Sequence, residues 1–315
     1  MVNRAMFTEL YAPGLRKVVF EEYTYLPMEY EKFCTVQNLD GEWVEDYRMA
    51  GFGAVPEKAE GTSIVYDDPV PGGKVRFEVT PFGKGFRITY EAQRDERYGQ
   101  MKKMAKAMGR GFKNKAEIVG ASLLNNAFTA YVAGVSKIGY GGFDGTGFVA
   151  SGLTGIALCG THTLLRAGTT LTNRATTDFG LAALQDALLH FEKITDESGI
   201  PTPYRPRTIV VGPDFGPAAR EILGSQFKPY TGDNEINVIR EYDLQLMVSH
   251  FLTDTNAWYV LADKSEHDLQ FFWRDKFSTE TADDFDTGDG KMSGYQRCGS
   301  SYGDWRGVWG SPGTT

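Results

Sequence analysis

The sequence predicts an α+β protein, and three observations indicate that class. Two stretches in the first hundred residues are extended, and hydrophobic residues alternate with polar ones in the second, which is the period of a half-buried strand. Hydrophobic residues then recur at steps of three and four over 94–127, the period of an amphipathic helix. The later helices and strands follow one another without regular strand–helix–strand units, which argues against a parallel α/β sheet.

The composition supports a folded core and disfavours several classes of protein. The chain has 315 residues, of which 41% are hydrophobic and 13% aromatic. No run approaches about 18 apolar residues, and the N-terminus lacks the apolar region of a secretory signal. Three widely spaced cysteines fit neither a disulfide framework nor a four-ligand zinc site. A net charge of −8 makes the whole surface a poor ligand for nucleic acid.

The first 40 residues, the N-terminal segment, combine aromatic and acidic residues without a sustained hydrophobic period. Eight acids and one base lie between Glu21 and Asp46. A segment this aromatic is not expected to be a solvated tail. We expect it to have little regular structure of its own and to lie against another surface.

The extended stretches 42–52 and 74–90 predict a long hairpin, and 53–73 between them are polar and punctuated by Gly and Pro. The alternating apolar positions of the second stretch are Val75, Phe77, Val79, Phe86, Ile88 and Tyr90. A two-stranded ribbon is only marginally stable by itself in water. The neighbouring sequence offers it no partner, so we expect the hairpin to need another surface.

Residues 94–127 are expected to form one long helix. Its apolar stripe is Tyr98, Met101, Ala105, Met108, Phe112, Ala116, Val119 and Leu123. Glycines at 99, 109, 111 and 120 argue against continuity, because each costs roughly 1 kcal/mol relative to alanine. The window 94–115 carries a charge of +6, which leaves −14 for the rest of the chain.

The basic residues of this helix form its most strongly charged surface, which we call the basic face. Its candidate contact residues are Arg97, Lys102, Lys103, Lys106, Arg110 and Lys113. Three uses remain open: a solvated surface, pairing with the acidic N-terminal segment of this or a neighbouring subunit, and sequence-independent contact with enclosed nucleic acid. No aromatic residues alternate with the bases as a platform for stacking bases would require.

The second half of the chain alternates loops, helices and strands. Residues 134–174 are rich in Gly and Thr and are predicted to be loops. A helix capped by Thr177 or Asp178 is expected to continue to Gly199, with a stripe formed by Leu181, Leu184, Leu188, Phe191 and Ile194. The strand 207–211 then leads into a short helix ending near Gly224. Further strands are predicted around 236–248, 257–262, 268–274 and 291–298, with an acidic loop over 275–289.

No arrangement of residues predicts catalysis or a cofactor. The glycine run 139–147 lacks the Lys–Ser/Thr of a phosphate-binding loop. The acidic run 283–289 fails the calcium-loop pattern, since Tyr295 stands where a bidentate Glu belongs. Cys159 and His162 have the spacing of a possible nucleophile pair, but nothing nearby orients the imidazole. We therefore predict no catalytic, cofactor or metal site, and no enzyme.

The order of these segments resembles the major capsid proteins of tailed bacteriophages with the HK97 fold. The stretches that carry the likeness are 52–61 (FGAVPEKAEG), 80–99 (TPFGKGFRITYEAQRDERYG), 207–223 (RTIVVGPDFGPAAREIL), 234–263 and the ending 302–313 (YGDWRGVWGSPG). Each stretch is only moderately specific, whereas their order covers nearly the whole chain.

The resemblance implies a shell subunit with five regions. They are an N-arm (1–40), an extended loop (41–75), a peripheral domain (76–150) with a spine helix at about 94–127, an axial domain (151–268), and the terminal strands of the peripheral domain (269–315). The subunit would form hexamers and pentamers of an icosahedral head around double-stranded DNA, without a cofactor or membrane. The residues of the loop tip expected to contact other subunits are Val55, Pro56, Glu57, Lys58 and Glu60.

The resemblance also implies other virion partners and a cellular site of assembly. A portal and in some cases a decoration protein would join the shell, and the head would be assembled in the host cytoplasm. With only about 40 residues ahead of the loop, any scaffold is expected to be a separate protein.

Some family members cross-link a loop lysine to an asparagine of a neighbour. Here Gly61 stands about where that lysine would fall, Lys58 is the only lysine of the tip, and no asparagine follows Asn256. We therefore expect no such cross-link. Two alternatives to a phage head remain: the shell of a protein nanocompartment with the same fold, and, with least support, a soluble α+β enzyme or binding protein.

Overall fold

The computed structural model describes residues 11–95, 98–130, 157–229, 235–284 and 286–314. Helices α1 to α5 span Ala12–Thr24, Tyr90–Arg94, Tyr98–Asn125, Leu181–Lys193 and Gly216–Gly224. Strands β1 to β6 span Thr35–Asn38, Trp43–Ala50, Val70–Glu78, Thr80–Ile88, Thr161–Thr163 and Thr170–Thr172. Strands β7 to β12 span Pro206–Val211, Gln245–Val248, Trp258–Ala262, Leu269–Asp283, Gly290–Tyr302 and Val308–Ser311. Among these residues no helix is both long and apolar enough to cross a bilayer.

The strands form two four-stranded sheets and two hairpins. The first sheet has the order β1-β10-β11-β4, and the second has the order β12-β9-β7-β8. Strands β2 and β3 form one hairpin, and β5 and β6 form a shorter one. Each four-stranded sheet contains one parallel and two antiparallel strand pairs, and helices pack beside them. The predicted α+β class is confirmed.

The long helix predicted over 94–127 is present as α3. The stripe positions from Met101 to Leu123 are buried, and the side chain of Tyr98 lies outside the described residues. The helix begins later than predicted, because the short helix α2 ends at Arg94 and Asp95 already leaves the helical conformation. It packs on β11 of the first sheet, where Gln296 donates to the carbonyl oxygen of Phe112 over 3.1 Å.

Two glycines of α3 are positions where the N-terminal segment comes very close. A Cβ atom at Gly109 would lie 2.5 Å from the carbonyl oxygen of Val19, and one at Gly120 would lie 2.3 Å from the Cβ atom of Tyr30. At Gly111 a Cβ atom would meet nothing within 4 Å. The close contacts explain two of the four glycines that argue against a continuous helix.

The expectation that the N-terminal segment has little regular structure was wrong. Helix α1 begins with Pro13 in its first turn and buries Leu15, Val18 and Val19 against α3. Helix α1 has only 13 residues, so its apolar stripe repeats only two or three times. The aromatic residues that flank the stripe make it hard to recognise in the sequence. Strand β1, also in this segment, pairs in parallel with β10.

The predicted hairpin is present, but its second arm divides at Val79. Strand β3 pairs with β2, whereas β4 turns away and pairs with β11. The end of the hairpin nearest β4 has a partner in its own subunit, contrary to expectation, because Phe77 packs against Phe272 of β10 with 5.0 Å between ring centroids. Residues 51–69 beyond the strands contain only a turn at Gly61, where φ is +79°.

Several predicted boundaries in the second half were also wrong. Helix α4 begins after Gly180 without a side-chain cap and ends at Lys193. The carbonyl oxygen of Thr177 accepts from Trp258, and the Asp178 carboxylate accepts from Thr314, so neither residue caps the helix. Much of the predicted acidic loop 275–289 is strand, since β10 continues to Asp283. Part of the strand predicted around 236–248 is a 3-10 turn, Val238–Tyr242.

The other predictions for this half were nearer the structure. The stripe of α4 is buried from Leu184 onward. The strand–helix unit around 207–224 is present as β7 and α5. The Gly/Thr-rich stretch contains the β5–β6 hairpin, and its part 134–156 lies outside the described residues.

Candidate inter-subunit surfaces

The extended loop, residues 41–75, carries a large exposed apolar surface. All five predicted contact residues of the tip, from Val55 to Glu60, are exposed, and Val55 has 95% of its surface accessible. Nine large hydrophobic side chains of the loop are exposed: Trp43, Val44, Tyr47, Met49, Phe52, Val55, Ile64, Val65 and Tyr66. So many exposed large apolar side chains in one loop indicate a site of association rather than a solvated loop.

The root of the segment 51–69, which lies beyond strands β2 and β3, is attached to the body of the subunit. The Asp67 carboxylate accepts the Gly53 N–H at 2.9 Å across the loop, and it also pairs with Arg166 in the turn between β5 and β6. These hydrogen bonds lower the pKa of Asp67, and the bond from Arg166 has the largest effect. The expectation that the N-terminal segment and the hairpin need surfaces outside the subunit is therefore wrong for α1, which packs on α3, and for the root of segment 51–69, while the tip stays exposed.

The basic face is partly neutralised by the N-terminal segment of the same subunit. Lys106 and Arg110 lie 3.9 and 2.5 Å from the Glu22 carboxylate, and the Lys113 ammonium donates to the carbonyl oxygen of Leu26. Of the three uses left open, pairing with acids of this segment is the one these contacts show. In the described part of the chain Lys102 and Lys103 are exposed and form no ion pair, and Arg97 lies outside it.

Sequence reasoning missed a buried carboxylate that holds the N-terminal segment. Glu117 on α3 accepts the N–H of Glu29 at 2.7 Å and the N–H of Tyr30 at 3.2 Å. Burial raises the pKa of Glu117, and the two backbone hydrogen bonds oppose that rise. No sequence pattern marks this role, because a single acid beside the apolar stripe of a helix is ordinarily a surface residue.

The residues considered for catalysis are structural. Burial raises the pKa of the Cys159 thiol, which keeps it neutral and unreactive. His162 stacks on Trp305 with 4.1 Å between ring centroids and lies 3.2 Å from the side-chain oxygen of Asn173. Within the described ranges no group of three or more His, Cys, Asp or Glu side chains could hold a metal ion. The glycine run 139–147 lies outside those ranges.

A well-packed body that extends a long loop with exposed apolar side chains into solvent defines a class of protein: a subunit that completes its burial by assembling with other subunits. The family can be named more closely. The family model described as "Phage capsid protein" matches residues 73–311, more than half of the chain, and the chain belongs to that family. This is a family of structural shell proteins and not of enzymes, and it identifies the chain as a capsid component of a phage virion.

Solved phage capsid structures have the same fold. The capsid subunit of bacteriophage PhiM1 is 8% identical, with a TM-score of 0.59 over 92% of this chain and 88% of that chain. Microbacterium phage Oxtober96 gives 12% identity and a TM-score of 0.55 over 91% of both chains. The capsid of an empty GTA particle gives 10% identity and 0.56 over 91% and 90%. No curated protein sequence matches significantly. The HK97-like capsid fold predicted from the sequence is confirmed.

Proposed function

We propose that this chain is the major subunit of an icosahedral phage head, which forms hexamers and pentamers and encloses double-stranded DNA. The observation that carries the proposal is the exposed apolar surface of the extended loop, from Trp43 to Tyr66. Exposing such a surface in a monomer is unfavourable, at about 25 cal/mol for each Å² left in water. Contact with neighbouring subunits removes it from water, and the tip residues Val55 to Glu60 are positioned to make that contact.

The five regions assigned from the sequence remain part of this proposal. The beginning of β10 at Leu269 coincides with the proposed start of the terminal peripheral strands. Two strands cross the proposed divisions: β1 joins the N-arm to the first sheet, and β12 pairs with β9 in the second sheet. The axial domain would therefore include Val308–Ser311 as well as residues 151–268.

The remaining partners are proposed on chemical grounds. Lys102 and Lys103, exposed and without an ion pair among the described residues, are suited to non-specific contact with a phosphate backbone. A portal, a separate scaffold and in some cases a decoration protein would join this subunit during assembly in the host cytoplasm. No covalent cross-link is expected, since Gly61 stands about where the cross-linking lysine would fall and no asparagine follows Asn256.

Expression of the chain, followed by size exclusion and negative-stain microscopy, tests the proposal. Icosahedral particles, tubes or hexameric rings are the expected result. A clean 35 kDa monomer that never assembles, even together with the products of neighbouring genes, would refute a shell function. Enclosed protein instead of genomic DNA would assign the chain to a nanocompartment. Denaturing gels of mature particles should show single subunits, and a ladder of covalent oligomers would contradict the absence of cross-links.

A further inference from the structure

The segment 51–69 of the extended loop is clasped at its root, just beyond β2 and β3, by one side chain, Arg166. Its guanidinium donates to the carbonyl oxygen of Gly51 at 3.1 Å and to the Asp67 carboxylate, so it holds the two arms of the loop at once. The other oxygen of Asp67 accepts the Gly53 N–H, which closes the root from within. Ser198 adds a weaker bond to the carbonyl oxygen of Phe52 at 3.3 Å.

The turn that carries Arg166 is itself fixed to the body. The backbone N–H groups of Arg166 and Ala167 both donate to the carbonyl oxygen of Glu197, at 3.1 and 3.0 Å. The Glu197 carboxylate accepts the Leu165 N–H at 2.7 Å and pairs with the guanidinium of Arg306. Three elements distant in the sequence, near 51–67, 164–168 and 195–198, therefore meet around one arginine.

The base of this arrangement is rigid because it is buried. The Arg306 side chain is only 4% exposed, and it also binds both oxygens of Asp304 at 3.1 and 3.0 Å and the carbonyl oxygen of Thr195 at 3.0 Å. A buried guanidinium with all these partners has one favoured position. The buried Arg306 therefore fixes Glu197, Glu197 fixes the turn at 164–168, and the turn fixes the position of Arg166 against the loop.

We propose that Arg166 is a positioning residue for assembly, which fixes the direction of the extended loop before a neighbouring subunit is met. The inference rests on the proposed function, in which the tip of the loop contacts neighbours. A loop that is already ordered loses less conformational freedom on association than a loose one, so the clasp favours assembly without touching the neighbour. The planar fork of arginine suits this role, since a lysine ammonium cannot present two parallel N–H groups to both arms.

Hydrogen exchange of the unassembled subunit, combined with assembly assays, tests the inference. In Arg166→Ala, we expect the amide of Gly53 to exchange at least about tenfold faster, because its hydrogen bond to Asp67 then opens without breaking the clasp. The subunit concentration at half-maximal assembly should rise by at least about tenfold. Arg166→Lys should give intermediate values in both measurements.

Two further variants keep the test independent of folding. Asp67→Asn weakens the clasp from the loop side, where the side chain is too exposed to disturb the core, and should reproduce both effects of Arg166→Ala. Arg207→Ala removes an exposed arginine pair elsewhere, with Asp243 at 3.0 Å, and should change neither. An unchanged melting temperature in Arg166→Ala would show that the body is intact.

The possible failures are distinguishable. A Gly53 amide that exchanges at the wild-type rate in both Arg166→Ala and Asp67→Asn would overturn the clasp. Faster exchange with unchanged assembly would overturn the positioning role and leave the proposed function standing. A wild-type chain that never assembles would refute the proposed function and the assembly role together, although the exchange data would still report on the clasp.

Discussion

Replacing Gly109 with alanine should make the subunit less stable than replacing Gly111 two residues further along the same helix. Both changes improve helix propensity by about 1 kcal/mol. They differ in surroundings, because a Cβ atom at Gly109 would lie 2.5 Å from the backbone oxygen of Val19, whereas one at Gly111 meets nothing within 4 Å. The difference between the two variants therefore isolates the contact between α1 and α3.

The magnitude follows from what must move. The oxygen of Val19 belongs to the backbone, so restoring ordinary contact requires α1 to move away by roughly 1 Å. Leu15 and Val19 on this helix are fully buried, and that movement loosens their packing. Overpacking of this kind costs about 1–3 kcal/mol. We expect Gly109→Ala to be less stable than Gly111→Ala by that amount, and Gly111→Ala to be about 1 kcal/mol more stable than the wild type.

Urea unfolding or calorimetry of the unassembled subunit measures this difference. For a chain of this size it corresponds to roughly 2–6 °C in melting temperature. Gly120→Ala provides a second test, because its Cβ atom would lie 2.3 Å from that of Tyr30. Equal stabilisation by Gly109→Ala and Gly111→Ala would refute the reasoning, since it would mean that α1 does not lie against Gly109.

Three further predictions concern the loop, acid stability and the thiols. Deletion of residues 53–62 should leave a cooperative melt but weaken assembly in sedimentation, and loss of the melt would contradict a tip that contacts only neighbours. Burial lowers the pKa of His267 to about 4, and its Nδ1 accepts the Leu269 N–H, so only the unfolded state binds this proton between about pH 6.5 and 4. Stability should therefore fall as the pH falls, by about 2 kcal/mol at pH 5, and His267→Asn should reduce that fall in urea titrations. The three cysteines are buried, so a thiol reagent should label none in the native subunit and all three in denaturant, and rapid native labelling would contradict their burial.

Hydrophobic periodicity predicted the helices that are long enough to repeat their apolar stripe many times. Helix α3 presents the same apolar face over 28 residues, which is enough repeats to outweigh its glycines. Helix α1 is as well packed but too short for its stripe to stand out. The division of the second hairpin arm at Val79 was not predicted either. The apolar alternation stops at Val79 and resumes only at Phe86, and the prediction of one continuous arm overlooked Pro81, Gly83 and Gly85 between them.

The contacts that organise the surfaces could not be predicted, since they join residues far apart in the chain. Glu117 binds the backbone of Glu29 and Tyr30 across more than 85 residues, and Arg166 reaches Asp67 across 99. Each is a single charged residue that belongs to no motif. From the sequence alone, such residues are expected to be exposed to solvent. Their role depends on which strands pair, and that pairing is fixed only when the whole chain has folded.

The basic face of α3 and the exposed apolar side chains of the extended loop are therefore expected to have different roles in association. The positive charge of α3 is in part neutralised within the subunit, where Glu22 lies beside Lys106 and Arg110. Exposed ion pairs contribute at most about 1 kcal/mol each, so the bases that remain supply modest attraction between subunits. The apolar side chains of the extended loop have no comparable cover in the described chain, although Arg166 holds the root of the loop in place. In the proposed shell, burial of that loop, presented in a fixed direction, would be the main contribution to assembly, and the charges would mainly guide how subunits meet.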